Sequence, residues 1–569
     1  MSTPVLPRRT VLATGATAAG AAAVGLPHGA TAASERRRDT VFAHGVASGD
    51  PRPRSVVIWT RVTPTAQASP GSGRGPRVQV LWEVATDRAF ANVVRRGSFA
   101  TGPGRDHTVK VDVTGLKPAR WYHYRFTWDG VHSQVGRTRT APGRRARPGN
   151  LRFGVVSCAN LQAGWFSVYR HLADRDDLHG VLHLGDYLYE YAPGQYGYGK
   201  DDEDVRPHDP PREMVSLSDY RRRHAQYKTD PDAQRLHAKY PWIITWDDHE
   251  VTNDQWRDGA ENHDASEGSY RRRRARAHRA FDEWMPVRMD GTADLRDGTR
   301  LFRRLAFGRL AEISMLDLRT YRDKQVEQAA PPAPEPDGEV SDPDRTITGA
   351  PQRRWLLGAL SRKRAQWKVV GNPVMIAPVD FGDLPDEATG QVNDVTGLLP
   401  EDGAPYNTDQ WDGYTADRDR VFGYIRDDGI TDVLFVTGDI HSGWACELPL
   451  DAGTYAYEDP DRQTAGVELV CSSVTSNNLK DITGDPSGAT SEGIEESIKA
   501  NNRHVRYLNF DDHGFSVLDL TAERAQMDWF ILTGERNDPA AGIAWETSYR
   551  SLAGSNRLEQ VDEPLGGGA

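Results

Sequence analysis

The N-terminal part of the chain alternates hydrophobic and polar residues with the period of two that is typical of half-buried β-strands. In VQVLWEVA, which begins at Val78, a hydrophobic residue occupies every second position. In TVKVDVTGLKPARWYHYRF, two alternating runs are separated by a Gly/Pro turn. This pattern predicts a small all-β sandwich over residues 40–141, and the Pro/Gly/Arg-rich segment 142–150 is predicted to be the linker that follows it.

After residue 150 the pattern changes to short, continuously apolar runs separated by segments of helical spacing. LRFGVV, GVLHLGD, WIITWDD, KVVGNP, DVLFVTGDIH and GVELVCSS are typical of fully buried strands. Phe166, Tyr169 and Leu172 lie between the first two runs at helical spacing, so a parallel strand–helix–strand unit is expected. We predict a layered α/β domain over residues 150–535 and a C-terminal tail over residues 536–569.

Polar residues of the kinds that bind metals follow four of these apolar runs, at the point where each run ends. In open α/β sheets, ligands bind beyond the carboxyl ends of the strands. Polar residues at the end of a single run are explained by a turn, a solvated loop or a buried thiol. Such explanations do not account for metal-binding residues at the ends of four runs in one domain. A metal centre is therefore predicted. The residues concerned are Cys158, Asn160, Asp186, Tyr189, Asp247, Asp248, His249, Glu250, Asp439 and His441.

An export signal is predicted at residues 1–32. Paired Arg8 and Arg9 precede a run of small apolar residues that ends in an A-x-A cleavage pattern, which is typical of a twin-arginine signal. A membrane anchor is the alternative, but the run is short, rich in Ala and Gly, and broken by Pro27. We therefore expect a secreted protein, exported in the folded state. No stable membrane insertion is expected, because no other stretch approaches the length of a membrane span.

The composition is that of a globular protein, and the length favours two or three domains. The formal net charge of the 569 residues is −11, which argues against nucleic-acid binding because a phosphate backbone requires a basic surface. Only three cysteines are present, too few for the disulfide framework common in exported proteins. Cys446 and Cys471 lie in apolar runs and are expected to be buried, with a bridge between neighbouring strands as the alternative. A monomer is expected.

The motifs SCAN, GDYLYE, WDDHEV and GDIHSG, in this order, resemble those of the alkaline phosphatase D family. That family belongs to the metallophosphoesterases, as the purple acid phosphatases do, and includes bacterial phosphodiesterases and an iron-dependent phospholipase D. The resemblance implies a two-sheet αββα catalytic domain. The stretch GLKPARWYHYRF resembles the tyrosine corner of fibronectin type III-like domains, so such a domain is expected in front. The implied activity is hydrolysis of phosphate mono- and diesters by a metal-bound hydroxide.

The same resemblance assigns metal-binding roles to six residues. Cys158 falls where most metallophosphoesterases place their first aspartate, and a thiolate suits iron. Asp186 matches the carboxylate that bridges two metals, and Tyr189 matches the phenolate that holds Fe(3+).

The ligands implied for the second metal are mainly carboxylates. Asp248 and Asp439 stand where purple acid phosphatases have neutral ligands, and His441 matches a histidine of that pattern. A second site rich in hard oxygen ligands favours Ca(2+) over zinc.

Catalytic and supporting roles are also expected around this centre. His249 is the candidate acid or electrostatic stabiliser, and Asn160 is expected to donate to a phosphoryl oxygen. Asp247, Glu250 and Asn253 are expected to orient the ligands.

Three further residues follow another apolar run. Asp317, Arg319 and Arg322 are interpreted as a salt-bridged network, with a phosphate clamp as the alternative.

Other functions fit part of the pattern. A phospholipase D acting on phosphatidylcholine-type lipids shares these motifs. Phosphate esters are therefore the expected substrates, and phospholipids are the alternative. A cysteine hydrolase using Cys158 with His249 or His441 would leave Asp186, Tyr189 and Asp439 unused. A non-catalytic metal- or phosphate-binding protein would not require His249.

Overall fold

The computed structural model describes residues 38–196, 205–289, 300–326, 340–380, 407–459, 462–485 and 488–565. The predicted signal at residues 1–32 lies outside these ranges. Within them, no helix is both long and apolar enough to cross a membrane.

After residue 150 the described residues form strands at the predicted apolar runs, with helices between many of them. The strands are β1 Val46–Arg52, β2 Ser55–Arg61, β3 Val78–Ala85, β4 Val93–Thr101, β5 Thr108–Thr114, β6 Trp121–Trp128, β7 Val131–His132, β8 Gly136–Arg139, β9 Leu151–Val156, β10 Gly180–His183, β11 Pro241–Ile244, β12 Arg303–Phe307, β13 Ala311–Met315, β14 Trp367–Asn372, β15 Val433–Thr437, β16 Gly443–Pro449, β17 Thr464–Val470, β18 Val505–Asn509, β19 Gly514–Leu520, β20 Arg524–Leu532, β21 Ile543–Leu552 and β22 Glu559–Val561. The α-helices are α1 Ser167–Asp174, α2 Leu217–Tyr227, α3 Pro231–Lys239, α4 Tyr270–Trp284, α5 Ala350–Leu360, α6 Thr415–Asp427, α7 Leu479–Thr483 and α8 Ala489–Asn501.

Two large sheets pack face to face in the catalytic domain. The ten-stranded sheet has the order β22-β21-β20-β19-β9-β10-β11-β1-β2-β5, and the seven-stranded sheet has the order β12-β13-β14-β15-β17-β16-β18. One core cluster contains side chains of both sheets, and within it Phe153 and Phe307 meet edge to face at 5.2 Å. Two further clusters bury the helices against the outer faces. The predicted two-sheet αββα architecture is confirmed.

The N-terminal sandwich shares one of its sheets with the catalytic domain. Strands β3, β4, β6, β7 and β8 form a small separate sheet, whereas β1, β2 and β5 extend the ten-stranded sheet. Strand β1 pairs in parallel with β11, where Ser48 lies opposite Pro241. Trp59 Nε1 also donates to the backbone oxygen of Glu283 at 2.9 Å. Alternation along a strand indicates which face is buried but not which strand lies next to it. The sequence pattern therefore does not predict that β1, β2 and β5 join the catalytic sheet.

The segment after residue 535, expected to be a tail, instead forms the edge of the ten-stranded sheet. Strand β21 pairs antiparallel with β20, so that Leu552 lies opposite Arg524 and Ile543 lies opposite Leu532. Strand β22 pairs with β21 in turn. Tyr549 and Leu558 are buried in the core between the sheets. Because these side chains complete the core, the segment belongs to the catalytic sheet.

The strand ends that carry the motifs meet at one end of the sandwich. Strands β9, β10 and β11 are parallel neighbours in the ten-stranded sheet, and β15 ends in the facing sheet. A parallel bridge between Ser157 and Ser473 connects the two sheets beyond β9. The loop of Cys158 is held against the next loop because its N–H donates to Gly185 O at 3.2 Å.

Deletion of residues 38–149 should therefore prevent the remaining chain from folding, because β11 would lose β1, one of its two parallel partners, and the sheet would lose three strands. The measurement is thermal unfolding followed by circular dichroism. The control is a chain that lacks only residues 1–37 and should unfold cooperatively. Cooperative unfolding of the shorter fragment at a similar temperature would contradict this interdependence.

Candidate metal centre and active site

Two glycines allow the candidate site loops to approach each other closely. A Cβ atom on Gly185 would lie 2.5 Å from Asp247 Cβ, and one on Gly438 would lie 2.7 Å from Ser157 Cβ. Real Cβ atoms do not approach so closely, so a larger residue would push the loops apart. The Gly-Asp pairs at residues 185–186 and 438–439 thus have a packing function as well as a chemical one.

Four candidate ligands have left-handed backbone conformations that non-glycine residues rarely adopt. The φ angles are +57° at Cys158, +55° at Asp186, +68° at Asp439 and +58° at His441. This conformation costs roughly 1–2 kcal/mol per residue, and such strain concentrates at functional sites. The surrounding contacts hold these four side chains where an unconstrained turn would not place them.

A sulfur, a carboxylate, an imidazole and a phenol meet at the first part of the site. Ligand atoms of Cys158, Asp186 and His441 lie within 4.8 Å of one another. The Tyr189 hydroxyl donates to Asp186 Oδ2 at 2.9 Å and lies 3.3 Å from His441 Nε2. It also accepts a 2.6 Å hydrogen bond from Ser476 Oγ. The structure therefore brings these four predicted ligands together.

A second group contains only carboxylates and shares one residue with the first. Oxygen atoms of Asp186, Asp247, Asp248 and Asp439 lie within 4.8 Å of one another. Asp186 Oδ1 and Asp248 Oδ1 are buried and have no hydrogen-bond partner within the described part of the chain. Buried polar atoms are nearly always partnered, so these oxygens are aimed at something else. A cation satisfies both of them.

Burial and mutual repulsion favour the neutral forms of Cys158 and Asp186 when no cation is present. Burial raises the pKa of the Cys158 thiol well above its usual value, and the Asp186 charge adds to this effect. Burial also raises the pKa of Asp186 well above its usual value; the charge of His249 opposes this rise, and the charges of Asp248 and Asp247 add to it. A bound cation reverses this preference, because it stabilises the deprotonated ligands. The donor set therefore fits a metal centre.

The His441 imidazole is already in the form that binds metals. Burial lowers the pKa of His441 to about 4, so the ring is neutral over the physiological range. Its Nδ1 donates to the Asn477 backbone oxygen at 2.7 Å. This hydrogen bond leaves Nε2 as the free lone pair facing Asp186 and Cys158.

Arg319 neutralises part of the carboxylate group, as the salt-bridge interpretation predicted. Its Nε and Nη2 lie 2.5 and 2.7 Å from the two oxygens of Asp247, and Nη2 is 3.0 Å from Asp439 Oδ1. Nη1 contacts Asp409 and lies 3.4 Å from Asp248 Oδ2. Arg319 is completely buried, and all three of its nitrogens contact acids. No donor is left for a phosphate clamp.

The other two members of that sequence motif take different positions. Arg322 Nη2 pairs with Asp409 Oδ1 at 2.5 Å, so it joins the same network. Asp317 Oδ1 instead accepts from the Thr320 N–H at 3.0 Å. The network therefore includes Asp409, which no sequence motif had indicated.

His249 forms a buried charged pair with Glu190, a residue that carried no predicted role. His249 Nδ1 lies 2.8 Å from Glu190 Oε2. Burial opposes the charge, but Asp248 and Glu190 raise the pKa of His249 well above its usual value. Burial likewise opposes ionisation of Glu190, yet His249 lowers the pKa of Glu190 to about 2. The only sequence signal for Glu190 is its place at the end of GDYLYE.

The aromatic residues around His249 restrict the orientation of its ring. Tyr189 packs on the imidazole with ring centroids 4.1 Å apart, and Tyr196 stacks at 6.1 Å. The ring is thus held between aromatic faces while Glu190 holds Nδ1. The remaining Nε2 lies 3.9 Å from Asp248 Oδ1.

The predicted supporting residues have contacts of the expected kind. Glu250 accepts from the backbone N–H groups of Asp186, Tyr187 and Asp247 at 3.2, 2.6 and 2.9 Å, which ties two loops together. The Asn253 N–H donates to a Glu190 oxygen at 2.7 Å. These contacts support the expected orienting roles, which stay predictions.

Asn160 does not face the open part of the site. It is fully buried, it is absent from the lining of the cavity described below, and its Oδ1 accepts from the Gln162 N–H at 3.2 Å. Its expected contact with a phosphoryl oxygen gains no support from this geometry. The side chain stabilises the loop after Cys158 instead.

A cavity of about 750 Å³ opens over these groups. Asp186, Asp248, His249, Asp439 and His441 form part of its lining. The lining contains six carboxylates but only one lysine, Lys324. Besides Asp186, Asp248 and Asp439, the carboxylates are those of Asp254, Glu261 and Asp409. A phosphate ester is anionic and would be repelled by this wall without bound cations.

The fold and the site together define a phosphoester hydrolase with a metallophosphoesterase-like catalytic domain. The PhoD-like phosphatase family matches residues 153–529, and the N-terminal domain of PhoD-like phosphatases matches residues 28–142. The chain therefore belongs to the PhoD-like phosphatase family, and its resemblance to alkaline phosphatase D is confirmed.

Two individual proteins agree with this assignment. Alkaline phosphatase D of Bacillus subtilis (strain 168) is 34% identical over 511 residues, which cover 89% of this chain and 80% of that protein. The solved structure of PhoD superimposes with a TM-score of 0.78 at 32% identity, covering 92% of this chain and 93% of that chain.

Asp186→Asn should remove the charge shared by the two ligand groups. Metal affinity should fall by more than the roughly 10–100-fold caused by loss of an outer partner. Without metal, the variant should unfold at the wild-type temperature or above it, because a neutral amide needs no proton to be buried among acids. Metal analysis and thermal unfolding measure the two effects, with Asp528→Asn, a buried carboxylate of strand β20, as control. Full metal content in Asp186→Asn would refute the shared role.

Proposed function

We propose that this protein hydrolyses phosphate mono- and diesters with Fe(3+) held by Cys158, Asp186, Tyr189 and His441, and Ca(2+) at the carboxylates beside it. The observation that carries this proposal is the position of Asp186, which belongs to both ligand groups. When bound, the two cations would supply an acidified water molecule and neutralise the charge on the phosphoryl oxygens.

The chemistry of the donors supports the two metals. A thiol, a phenol and a neutral imidazole in one group suit iron better than a hard cation such as Mg(2+). The second group, Asp186, Asp248 and Asp439, offers oxygen only, which suits Ca(2+). Arg319 engages both oxygens of Asp247, so Asp247 is assigned the orienting role instead of a place among the ligands.

His249 is the proposed proton donor of the reaction. A water molecule loses a proton to solvent, its oxygen forms the new bond to phosphorus, and the ester P–O bond breaks. The proton at His249 Nε2 passes to the leaving alkoxide, and His249 then takes up a proton from solvent. Glu190 holds the ring through Nδ1 and favours its charged form. The carboxylates of the cavity lining would act through the cations that they hold, which would neutralise the phosphoryl oxygens during this displacement.

Two alternatives are disfavoured by the same groups. A thiol hydrolase would require an accessible thiolate, but Cys158 is fully buried and lies outside the cavity lining. A non-catalytic binding protein would not require the charged His249–Glu190 pair beside the ligands. A phospholipase D remains the second candidate, because hydrophobic side chains such as Leu479 and Ile482 line part of the cavity.

We further propose export through the twin-arginine route with a signal at residues 1–32. The proposed domain limits are 40–141 for the fibronectin III-like domain and 150–535 for the catalytic domain, with residues 536–569 contributing its edge strands. Phosphate ester substrates and a monomeric state complete this proposal.

Metal depletion combined with a substrate panel tests the proposed function. Purified protein should contain iron and calcium and should hydrolyse p-nitrophenyl phosphate and bis(p-nitrophenyl) phosphate. A calcium chelator should suppress both activities, and added calcium should restore them. Hydrolysis of phosphatidylcholine faster than of both soluble esters would favour the phospholipase. Full activity in protein free of iron would refute the iron assignment.

His249→Gln should slow the reaction most for esters with poor leaving groups. Loss of a general acid typically costs about 10²–10⁴-fold, whereas p-nitrophenolate leaves without a proton. The measurement is kcat/KM across diesters with leaving groups of graded pKa. Glu190→Gln should give the same trend with a smaller amplitude. An equal loss for all leaving groups would remove His249 from the proton-transfer step.

A further inference from the structure

One side of the cavity is hydrophobic, in contrast to the acidic side that carries the candidate ligands. We call this side the apolar wall and define it by the lining residues Ile440, Leu479, Ile482, Ile494 and Phe510. Ile494 and Phe510 are buried, whereas Ile440, Leu479 and Ile482 are half-buried. The three half-buried side chains therefore present hydrophobic surface to whatever occupies the cavity.

The apolar wall adjoins the candidate metal centre directly. Ile440 is the residue between Asp439 and His441, both of which are candidate ligands. The His441 Nδ1–H also donates to Asn477 O at 2.7 Å, one residue before the cap of helix α7. A phosphorus atom placed at the metal centre would therefore have its substituents within reach of the wall.

The position of the wall is fixed by buried polar contacts. Asn478 and Asp481 form a capping box that starts helix α7. The Asp481 carboxylate lies 2.8 Å from His513 Nε2 and 3.0 Å from Arg536 Nη1. These contacts anchor α7 to the residue before strand β19 and to the segment before β21. The wall is thus preformed and would not have to be ordered by the substrate.

The size and polarity of the cavity exceed what a phosphate monoester requires. A phosphoryl group fills only a small part of about 750 Å³ and interacts with the acidic side through bound cations. We propose, on the basis of the proposed function, that the apolar wall binds the retained apolar substituent of a phosphodiester substrate. The leaving oxygen has to reach His249, which lies on the loop after β11, so the other substituent occupies the wall.

A series of p-nitrophenyl alkyl phosphates, from methyl to octyl, tests this proposal with the complete metal-loaded enzyme. The leaving group is constant, so differences report the alkyl chain. We expect kcat/KM to rise about twofold to fourfold per methylene, as burial of methylene groups predicts, and to level off once the chain exceeds the wall. Equal kcat/KM for all members would overturn the proposal, and absence of hydrolysis for every member would overturn the proposed function instead.

Variants locate the effect on the wall. Ile482→Asn should lower the octyl-to-methyl ratio of kcat/KM by about tenfold or more, since a polar amide replaces a hydrophobic contact. Ile543→Asn is the matched control, because Ile543 is a half-buried isoleucine of strand β21 outside the cavity lining. An unchanged ratio in folded Ile482→Asn would overturn the proposal. The chain-length series on the unmodified enzyme tests it even if that variant does not fold.

Two sources of an apolar diester remain to be separated, simple alkyl esters and lipids. Dihexanoyl phosphatidylcholine below its micelle concentration supplies the lipid, and the alkyl series contains neither glycerol nor choline. A chain-length effect in the alkyl series, together with a loss of both octyl-ester and lipid hydrolysis in Ile482→Asn, supports recognition of the apolar substituent itself. A preference for the lipid without any effect in the alkyl series would assign recognition to the headgroup and contradict the role of the wall.

Discussion

The repulsion among buried acidic groups around Asp186 is the constraint on which the rest of the site depends. Asp247, Asp248 and Asp439 approach Asp186 within 4.8 Å, and Cys158 lies on its other side. Arg319 neutralises only some of this charge, and the unpartnered oxygens of Asp186 and Asp248 are left. Several charged groups buried together are stable only with compensating cations. The arrangement therefore fits a site for cations.

The fold supplies the rigidity that this arrangement requires. Two sheets meet at the site, so the ligands come from strand ends that cannot move independently. Glycines at the Gly-Asp pairs allow the loops to touch, and Glu250 joins two of the loops through three backbone N–H groups. The left-handed backbone at four candidate ligands persists because these contacts over-determine it. Strand β1 of the N-terminal domain and strand β21 of the C-terminal segment support the same sheet from outside.

Sequence patterns predict the features that depend on local order. The apolar runs predict β9, β10, β14, β15 and β17, because a buried strand needs a hydrophobic residue at nearly every position. Residues at the ends of these runs predict the metal centre, because parallel strands bring their carboxyl ends to one edge. The family resemblance adds the order of the ligands, and the structure brings Cys158, Asp186, Tyr189 and His441 together.

Features that depend on distant pairing could not be predicted in this way. Alternation in the N-terminal strands does not show that β1 pairs with β11, and the segment after residue 535 carries no signal for its neighbour β20. Glu190 lacked a role because its partner His249 lies 59 residues away. Asn160 is predicted to reach a phosphoryl oxygen because it follows Cys158, whereas its Oδ1 accepts from the Gln162 N–H of its own loop. In each case the deciding contact is one that local pattern does not encode.

The most direct test of a metal centre built around Asp186 is anomalous X-ray scattering from crystals of active protein purified without chelators. Data on both sides of the iron absorption edge should show an iron peak in contact with Cys158 Sγ, the Asp186 carboxylate and the Tyr189 oxygen. A second, non-iron peak is expected on the side of Asp248. Active crystals with no anomalous scatterer at Asp186 would contradict the central claim.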